Sequence, residues 1–87
     1  MSDLETQFKQ AAEDVTQLSE APDNSVKLKL YALYKQGTEG DVKGDKPSMF
    51  DFVGAAKYNA WAELAGTEGD VAKKKYIDLV EALKAKE

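Results

Sequence analysis

Residues 31–36 of this chain read Tyr31-Ala32-Leu33-Tyr34-Lys35-Gln36. These residue types favour a helix, and on a helix Tyr31 and Lys35 share one face because they stand four residues apart. A flat ring beside an ammonium group suits a ligand that is aromatic at one end and phosphorylated at the other. The same pattern is also typical of half-buried core tyrosines next to a solvated lysine. On this stretch alone both interpretations stay open.

Outward from this stretch, the spacing of apolar residues predicts four helices and no strand. The predicted helices run from Asp3 to about Ser19, from about Asn24 to Gln36 or Thr38, from about Gly54 to Ala65, and from Asp70 to about Lys84. Residues 40–47 form a loop that is long for a helical bundle. We therefore expect an all-α fold, a four-helix bundle with a long crossover loop between helices 2 and 3.

Local signals add detail at the helix ends. Ser2 or Asp3 is the expected cap of the first helix, and Asp23, Asn24 or Ser25 that of the second. Residues 67–70, Thr-Glu-Gly-Asp, resemble a capping box before the fourth helix. The triplet at residues 73–75 is three consecutive lysines, which we interpret as a solvated helix face.

The second helix has an apolar arc wider than a single core contact requires. Two rows make up this arc: Val26, Leu30, Leu33 and Tyr34 on one side, and Leu28, Tyr31 and Lys35 on the other. We expect one row to pack inward, and the other to line a groove or meet a third helix.

Composition limits the functional classes. The chain has 87 residues, 12 basic and 16 acidic, with a formal charge of -4, and every basic residue is a lysine. This length predicts a single domain over residues 1–87. An acidic chain is not expected to bind nucleic acid in general, because that affinity comes from clustered cations. With 0 Cys and 0 His, there is no thiol nucleophile, imidazole base or usual zinc ligand set.

The beginning of the chain is polar, and no long apolar run follows it. We therefore expect no signal peptide and no transmembrane segment. A soluble, cytoplasmic protein is the corresponding expectation.

Longer motifs carry a resemblance to a known family. Residues 46–61 read KPSMFDFVGAAKYNAW and residues 72–77 read AKKKYI. Together with residues 31–36 and the pair Gly40-Asp41, they closely resemble the acyl-CoA-binding protein family, also known as the diazepam-binding inhibitor family. The resemblance extends from Phe8 to Leu83. It implies non-enzymatic binding of medium- and long-chain fatty acyl-CoA thioesters by an intracellular carrier and pool former, with no catalytic residue, metal or cofactor.

The resemblance also implies roles for individual residues. Tyr31 would stack on or flank the adenine, and Lys35 and Lys57 would meet the phosphates, chiefly the ribose 3'-phosphate. Tyr76 would close the site with its hydroxyl. The remaining implied positions are Leu28 and Ala12 beside the acyl chain, Tyr34 within the same binding segment, and Thr16, which can donate a hydrogen bond.

This chain departs from the family's usual pattern at four positions. Thr16, Val53 and Ala55 stand where lysine is frequent, and Tyr58 stands where tryptophan is common. The phosphates of a ligand would therefore meet fewer cations.

Two other functional classes stay open beside the carrier. A helical module that acts through a protein partner would need no small ligand. Thioester hydrolysis would need a nucleophile and a base, which the residue types do not supply. For the carrier, we expect a monomer that binds acyl-CoA and exchanges it with acyl-CoA-using enzymes.

Overall fold

A computed structural model describes the protein at residues 3–44, 46–48 and 50–86. Its four α-helices are α1 (Asp3–Asp14), α2 (Asn24–Glu39), α3 (Phe52–Ala62) and α4 (Gly69–Ala85), and a short 3-10 helix, Val15–Gln17, follows α1. The described residues contain no strand. The predicted all-α fold with a crossover between the second and third helices is confirmed.

Helix α2 lies at the centre of the packing. It contacts α3 on one side and α4 on another, while α1 packs against α4. Burial of apolar side chains from α1, α2 and α4 forms the main core, since removing such surface from water is the dominant stabilising term. The core consists of Phe8, Ala11, Leu30, Leu33, Ala72, Tyr76 and Val80. Within the described residues, no helix is long and apolar enough to span a membrane.

Two helices end earlier than their patterns predict. Helix α1 stops at Asp14, and Leu18 already has an extended backbone after the 3-10 turn. Helix α3 stops at Ala62, because Leu64 and Ala65 donate to carbonyls three residues earlier, at 3.0 and 3.1 Å, and tighten the chain into turns. Leu64 is therefore not on α3, although it still packs against the core.

Capping explains where α2 and α3 begin. The Asp23 carboxylate accepts from the Val26 N–H at 2.9 Å, as predicted for the start of α2. Asp51 accepts from the Gly54 N–H at 2.9 Å, so α3 begins at Phe52 rather than at Gly54. The proposed Ser2 cap lies outside the described residues.

The capping box predicted before α4 is wrong. The residue that precedes α4 is Glu68, and its side chain makes no capping hydrogen bond. The carbonyl of Thr67 instead accepts a hydrogen bond from the Gln36 side chain at 2.7 Å. A tertiary contact therefore fixes this turn in place of a local one.

The interpretation of the lysine triplet is wrong for its first member. Lys73 lies 5.8 Å from the centre of the Phe8 ring, and its Nζ donates to Glu5 at 2.7 Å. Its side chain is only 15% exposed. Lys73 thus ties α4 to α1, whereas Lys74 and Lys75 are exposed.

The crossover between α2 and α3 starts at Gly40, where φ is 81°, a conformation that favours glycine. The Gly40 N–H closes the end of α2 on the Gln36 carbonyl at 3.1 Å. Two side chains of α3 then hold the loop: Trp61 Nε1 donates to the Gly40 carbonyl at 2.8 Å, and the Tyr58 hydroxyl donates to that of Gly44 at 3.4 Å. Helix α3 is thereby fastened to the end of α2.

Gln36 joins three parts of the chain. Its side chain is 1% exposed, and its Nε2 donates both to Asp41 at 2.9 Å and to the Thr67 carbonyl at 2.7 Å. The same Asp41 oxygen accepts from the Gly66 N–H at 2.8 Å. The end of α2, the start of the crossover and the link between α3 and α4 therefore share one hydrogen-bond network.

Replacing Gln36 by alanine removes both donors and leaves the Thr67 carbonyl without this partner. We expect Gln36→Ala to lower the free energy of unfolding by about 1–3 kcal/mol. Urea denaturation followed by circular dichroism measures this loss. Gln7→Ala, at an exposed position of α1, is the matched control and should change stability by less than about 0.5 kcal/mol. Equal effects of the two substitutions would contradict the role of the network.

Stability should also fall in acid. Hydrogen bonds from Lys73 to Glu5, from Gln10 and Lys84 to Asp14, and from the Gly66 N–H to Asp41 lower the pKa values of these carboxyls. The ordinary pKa values are 4.5 for Glu and 3.8 for Asp. Between these values and the lower pKa values of the folded state, the unfolded chain binds more protons than the folded chain. Their contribution to stability is complete above those values and is lost as the pH falls through the lower, folded-state values.

Urea midpoints measured from neutral pH to below pH 3.8 test this expectation. The midpoint should fall with pH, and Asp14→Asn should make the fall smaller. A midpoint that does not change over this range would refute the expectation.

Candidate functional site

Tyr31, Lys35, Lys57 and Trp61 form a group that we call the aromatic–lysine cluster. Lys57 Nζ lies 5.3 Å from the centre of the Tyr31 ring, and Lys35 Nζ lies 6.0 Å from the same ring. Lys35 Nζ is also 5.6 Å from the Trp61 ring. Two cations therefore stand beside one half-buried phenol ring, within the range of cation–π attraction.

Helix periodicity and the packing of α3 on α2 together produce this cluster. Tyr31 and Lys35 are one turn apart on α2, and Lys57 and Trp61 are one turn apart on α3. The hydrogen bond from Trp61 to the Gly40 carbonyl fixes α3 against the end of α2. Lys35 of α2 and Lys57 of α3 therefore lie beside the same ring.

A carboxylate stands beside the cluster. Lys35 Nζ donates to Glu39 at 2.5 Å, and Glu39 is one turn further along α2. This hydrogen bond is the main cause that raises the pKa of Lys35 and lowers the pKa of Glu39. Both groups are therefore charged at neutral pH.

A groove of about 700 Å³ lies between α2, α3 and α4. Its volume is within the range of about 300–1,000 Å³ that is common for ligand pockets. Apolar side chains cover most of its surface, with charged groups among them. Its lining includes Leu28, Ala32 and Leu33 of α2, Ala56 and Ala60 of α3, and Lys75, Asp78 and Leu79 of α4.

The groove and the aromatic–lysine cluster are built on the same two helices, α2 and α3, although none of the four cluster residues lines the groove. Leu28 precedes Tyr31 by about one turn of α2. On α3, Ala56 is adjacent in sequence to Lys57, and Ala60 is adjacent to Trp61. The cluster and the groove therefore occupy neighbouring positions of the same two helices.

Tyr34 and Tyr76 belong to a second aromatic group, centred on Phe8. The Phe8 ring centre is 5.3 Å from that of Tyr34 and 5.1 Å from that of Tyr76, and the two tyrosine rings are 6.0 Å apart. Tyr34 is 43% exposed, whereas Tyr76 is 4% exposed. Burial, with a smaller contribution from Tyr34, raises the pKa of Tyr76, so its hydroxyl is a donor at neutral pH.

Of the eight predicted site residues, Leu28 lines the groove, and the two positions near α1 are among the seven that do not. Ala12 packs against the core cluster. The Thr16 hydroxyl donates to the Glu13 carbonyl at 2.7 Å, within its own turn. Thr16 also borders a separate hollow of about 380 Å³ with Val15, Lys27 and Leu30. The contact of these two residues with a ligand stays a prediction.

Reasoning from the sequence missed three parts of the site. Trp61 stands four residues after Lys57, but the sequence pattern indicates no binding role for it. The pattern also assigns no role to Glu39, although its spacing of four from Lys35 is typical of an ion pair on a helix. The alanines of α3 and the side chains of α4 that line the groove carry no signal of their own, because small, charged and aliphatic residues all occur on most helices.

The side chains of the cluster and the groove are of the types that bind a ligand. A ring with two ammonium groups suits a phosphorylated aromatic ligand, and an adjoining apolar groove suits a hydrocarbon. Across residues 3–44, 46–48 and 50–86, no group of acidic side chains is placed to hold a metal ion.

Comparisons with known proteins bear on this geometry. Residues 5–80 match the family described as "Acyl CoA binding protein". The chain is similar to acyl-CoA-binding protein homolog 1 of Caenorhabditis elegans, with 53% identity over 79 residues, which cover 91% of this chain and 92% of that protein. It is also 47% identical over 76 residues to enoyl-CoA delta isomerase 2 of Rattus norvegicus, covering 87% of this chain but only 19% of the isomerase.

A solved structure is similar to this chain in its fold. The crystal structure of acyl-CoA-binding protein 2 from Oryza sativa matches this fold with a TM-score of 0.91 and 34% sequence identity, over 95% of this chain and 90% of that one. The match extends through all four helices, and the family assignment covers both the aromatic–lysine cluster and most of the groove. By sequence and by fold, this chain belongs to the acyl-CoA-binding protein family.

Proposed function

We propose that this protein binds medium- and long-chain fatty acyl-CoA thioesters without transforming them, and serves as an intracellular carrier that forms an acyl-CoA pool. One observation carries the proposal: a ring flanked by two lysines lies on the same two helices that line an apolar groove of about 700 Å³. Acyl-CoA has the matching construction, an aromatic and phosphorylated head joined to a hydrocarbon tail.

The head group would bind at the aromatic–lysine cluster. Adenine would stack on Tyr31, which supplies about 1–3 kcal/mol by analogy with base stacking on aromatic side chains. Lys35 and Lys57 would contact the phosphates, chiefly the ribose 3'-phosphate, as point charges. The family resemblance suggests these roles, and the distances of both ammonium groups from Tyr31 support them.

The acyl tail would lie along the groove past Leu28. Each methylene removed from water contributes about 0.8 kcal/mol, so a long tail can dominate the affinity. Phe52 stands one turn before Ala56 on α3 and is 79% exposed. A tail that extends beyond the groove can cover this ring, which favours long chains over short ones.

The other predicted residues would complete the site from neighbouring helices. Tyr76 would donate its hydroxyl from α4, and its raised pKa keeps the proton on it. Tyr34 supports Tyr76 through their ring contact. Ala12 would lie beside the tail, and Thr16 would offer a hydroxyl in place of an ammonium group.

The carrier would work as a cytoplasmic monomer without a cofactor, and acyl-CoA-using enzymes would be its partners. One chain contains all the proposed contacts, so a second copy is not needed to build the site. The fatty acyl-CoA is cargo that leaves unchanged.

Calorimetric titration with palmitoyl-CoA, palmitate and free coenzyme A tests the proposal. We expect one-to-one binding of the thioester that is at least about a hundredfold tighter than that of either fragment, because tail and head contributions combine. Weak and similar binding of all three would refute it. A protein partner would then become the function to pursue.

Single substitutions test the placement of the head group. Tyr31→Ala should weaken palmitoyl-CoA binding by about 5- to 150-fold, which corresponds to the loss of one stacking contact. Lys35→Ala should also weaken binding, and more so at low salt. Circular dichroism should show that the helical content survives in both variants.

Lys9→Ala is the matched control for these substitutions, because Lys9 is an exposed lysine on α1, away from the cluster. It should leave the affinity unchanged. If Tyr31→Ala and Lys35→Ala bind palmitoyl-CoA as the unmodified protein does, the cluster is not the head-group site.

A further inference from the structure

The two lysines of the cluster differ in what surrounds them. Lys35 Nζ is 2.5 Å from a Glu39 oxygen. For Lys57, by contrast, the described part of the chain supplies no carboxylate within ion-pair distance. One of the two cations offered to a phosphate is thus already paired with a group of the same charge as the phosphate.

We propose that Glu39 is an internal competitor of the ligand's phosphate for Lys35, and that it sets the affinity and the phosphate selectivity of the site. The inference rests on the proposed function. A carboxylate and a phosphate oxygen accept the same charge-assisted hydrogen bond from an ammonium group. Binding of a phosphate at Lys35 therefore requires Glu39 to leave or to share this donor.

The surroundings of Glu39 allow it to leave. The pair is partly solvated, with side chains 31% and 42% exposed, and exposed ion pairs at this spacing are weak. Lys43 is close enough to lower the pKa of Glu39 further, after the larger effects of Lys35. Once released, the carboxylate has water and a second cation to interact with.

Among the described residues, the two other acidic groups near the cluster have different partners. Asp41 is held by the Gly66 N–H and by the Gln36 side chain. Asp51 is held by the Gly54 N–H at the start of α3. Among the described residues, Glu39 is the carboxylate that accepts a hydrogen bond from a lysine of the cluster.

Removing the charge of Glu39 should strengthen binding. We expect Glu39→Gln to tighten palmitoyl-CoA binding by about two- to tenfold at low salt, with the gain shrinking as salt screens the charges. The gain should be smaller for the 3'-dephospho form of the ligand. Titration calorimetry at two salt concentrations measures both effects.

A second titration uses adenosine 3',5'-bisphosphate, which tests the head site without the tail. The same gain is expected with this probe. Glu13→Gln, which removes a charge at an exposed position of α1, is the matched control. It should change neither the affinity for palmitoyl-CoA nor the affinity for the bisphosphate.

A Lys35→Met background separates competition from general repulsion. If Glu39 competes for Lys35, Glu39→Gln should give no gain when Lys35 is absent. A gain that persists in this background, or that Glu13→Gln reproduces, would overturn the inference, because it would show long-range repulsion only. Weaker binding by Glu39→Gln would also overturn it, since Glu39 would then orient Lys35 for the ligand.

The outcomes also separate the inference from the function on which it rests. If the unmodified protein binds palmitoyl-CoA but Glu39→Gln does not alter its affinity, the inference fails and the proposed function stands. If the bisphosphate binds and shows the gain while palmitoyl-CoA binds no more tightly than the bisphosphate, the inference stands and the carrier function fails. If neither probe binds, both fail.

Discussion

The placement of the site depends on the buried amide of Gln36. Gln36 is 1% exposed, and its Oε1 has no hydrogen-bond partner among the described residues. Its Nε2 is paired, because leaving a donor unpaired away from water is costly. Its partners come from the crossover and from the link before α4. Together with the Trp61 hydrogen bond to Gly40, they determine where α3 lies on α2. The distance between Lys57 and Tyr31 follows from that placement.

For the binding of an anionic ligand, the local arrangement of charges matters more than the net charge of the chain. The chain has a formal charge of -4, which by itself opposes the binding of a polyanion. The fold brings Lys35 and Lys57, which are 22 positions apart in the sequence, to the same ring. A small field of positive charge is thereby created on an acidic surface. Because this field rests on few cations, one neighbouring carboxylate can influence it strongly.

The two aromatic groups next to α2, the aromatic–lysine cluster and the group centred on Phe8, show how one helix serves two purposes. Tyr31 faces the lysine of α3, while Tyr34, three residues later, stacks on Phe8 of α1. The Phe8 ring also packs edge-on against the ring of Tyr76 of α4. Both interpretations of the opening stretch therefore apply to different residues: Tyr31 is in the candidate site, and Tyr34 packs at the edge of the core. The wide apolar arc of α2 exists because α2 has neighbours on more than one side.

The sequence by itself determined the helix count, the length of the loop between α2 and α3, and the pairs one turn apart, because all three depend on residues that are close in the chain. Tyr31 with Lys35, and Lys57 with Trp61, are such pairs. Only the tertiary structure decided that the two pairs meet, that Leu28 borders a groove with Ala56 and Ala60, and that Lys73 is covered by Phe8 and Glu5. It also decided the turn before α4, where a hydrogen bond from Gln36 prevails over a local cap. These features depend on packing between segments that are distant in the chain, and no local preference encodes such distances.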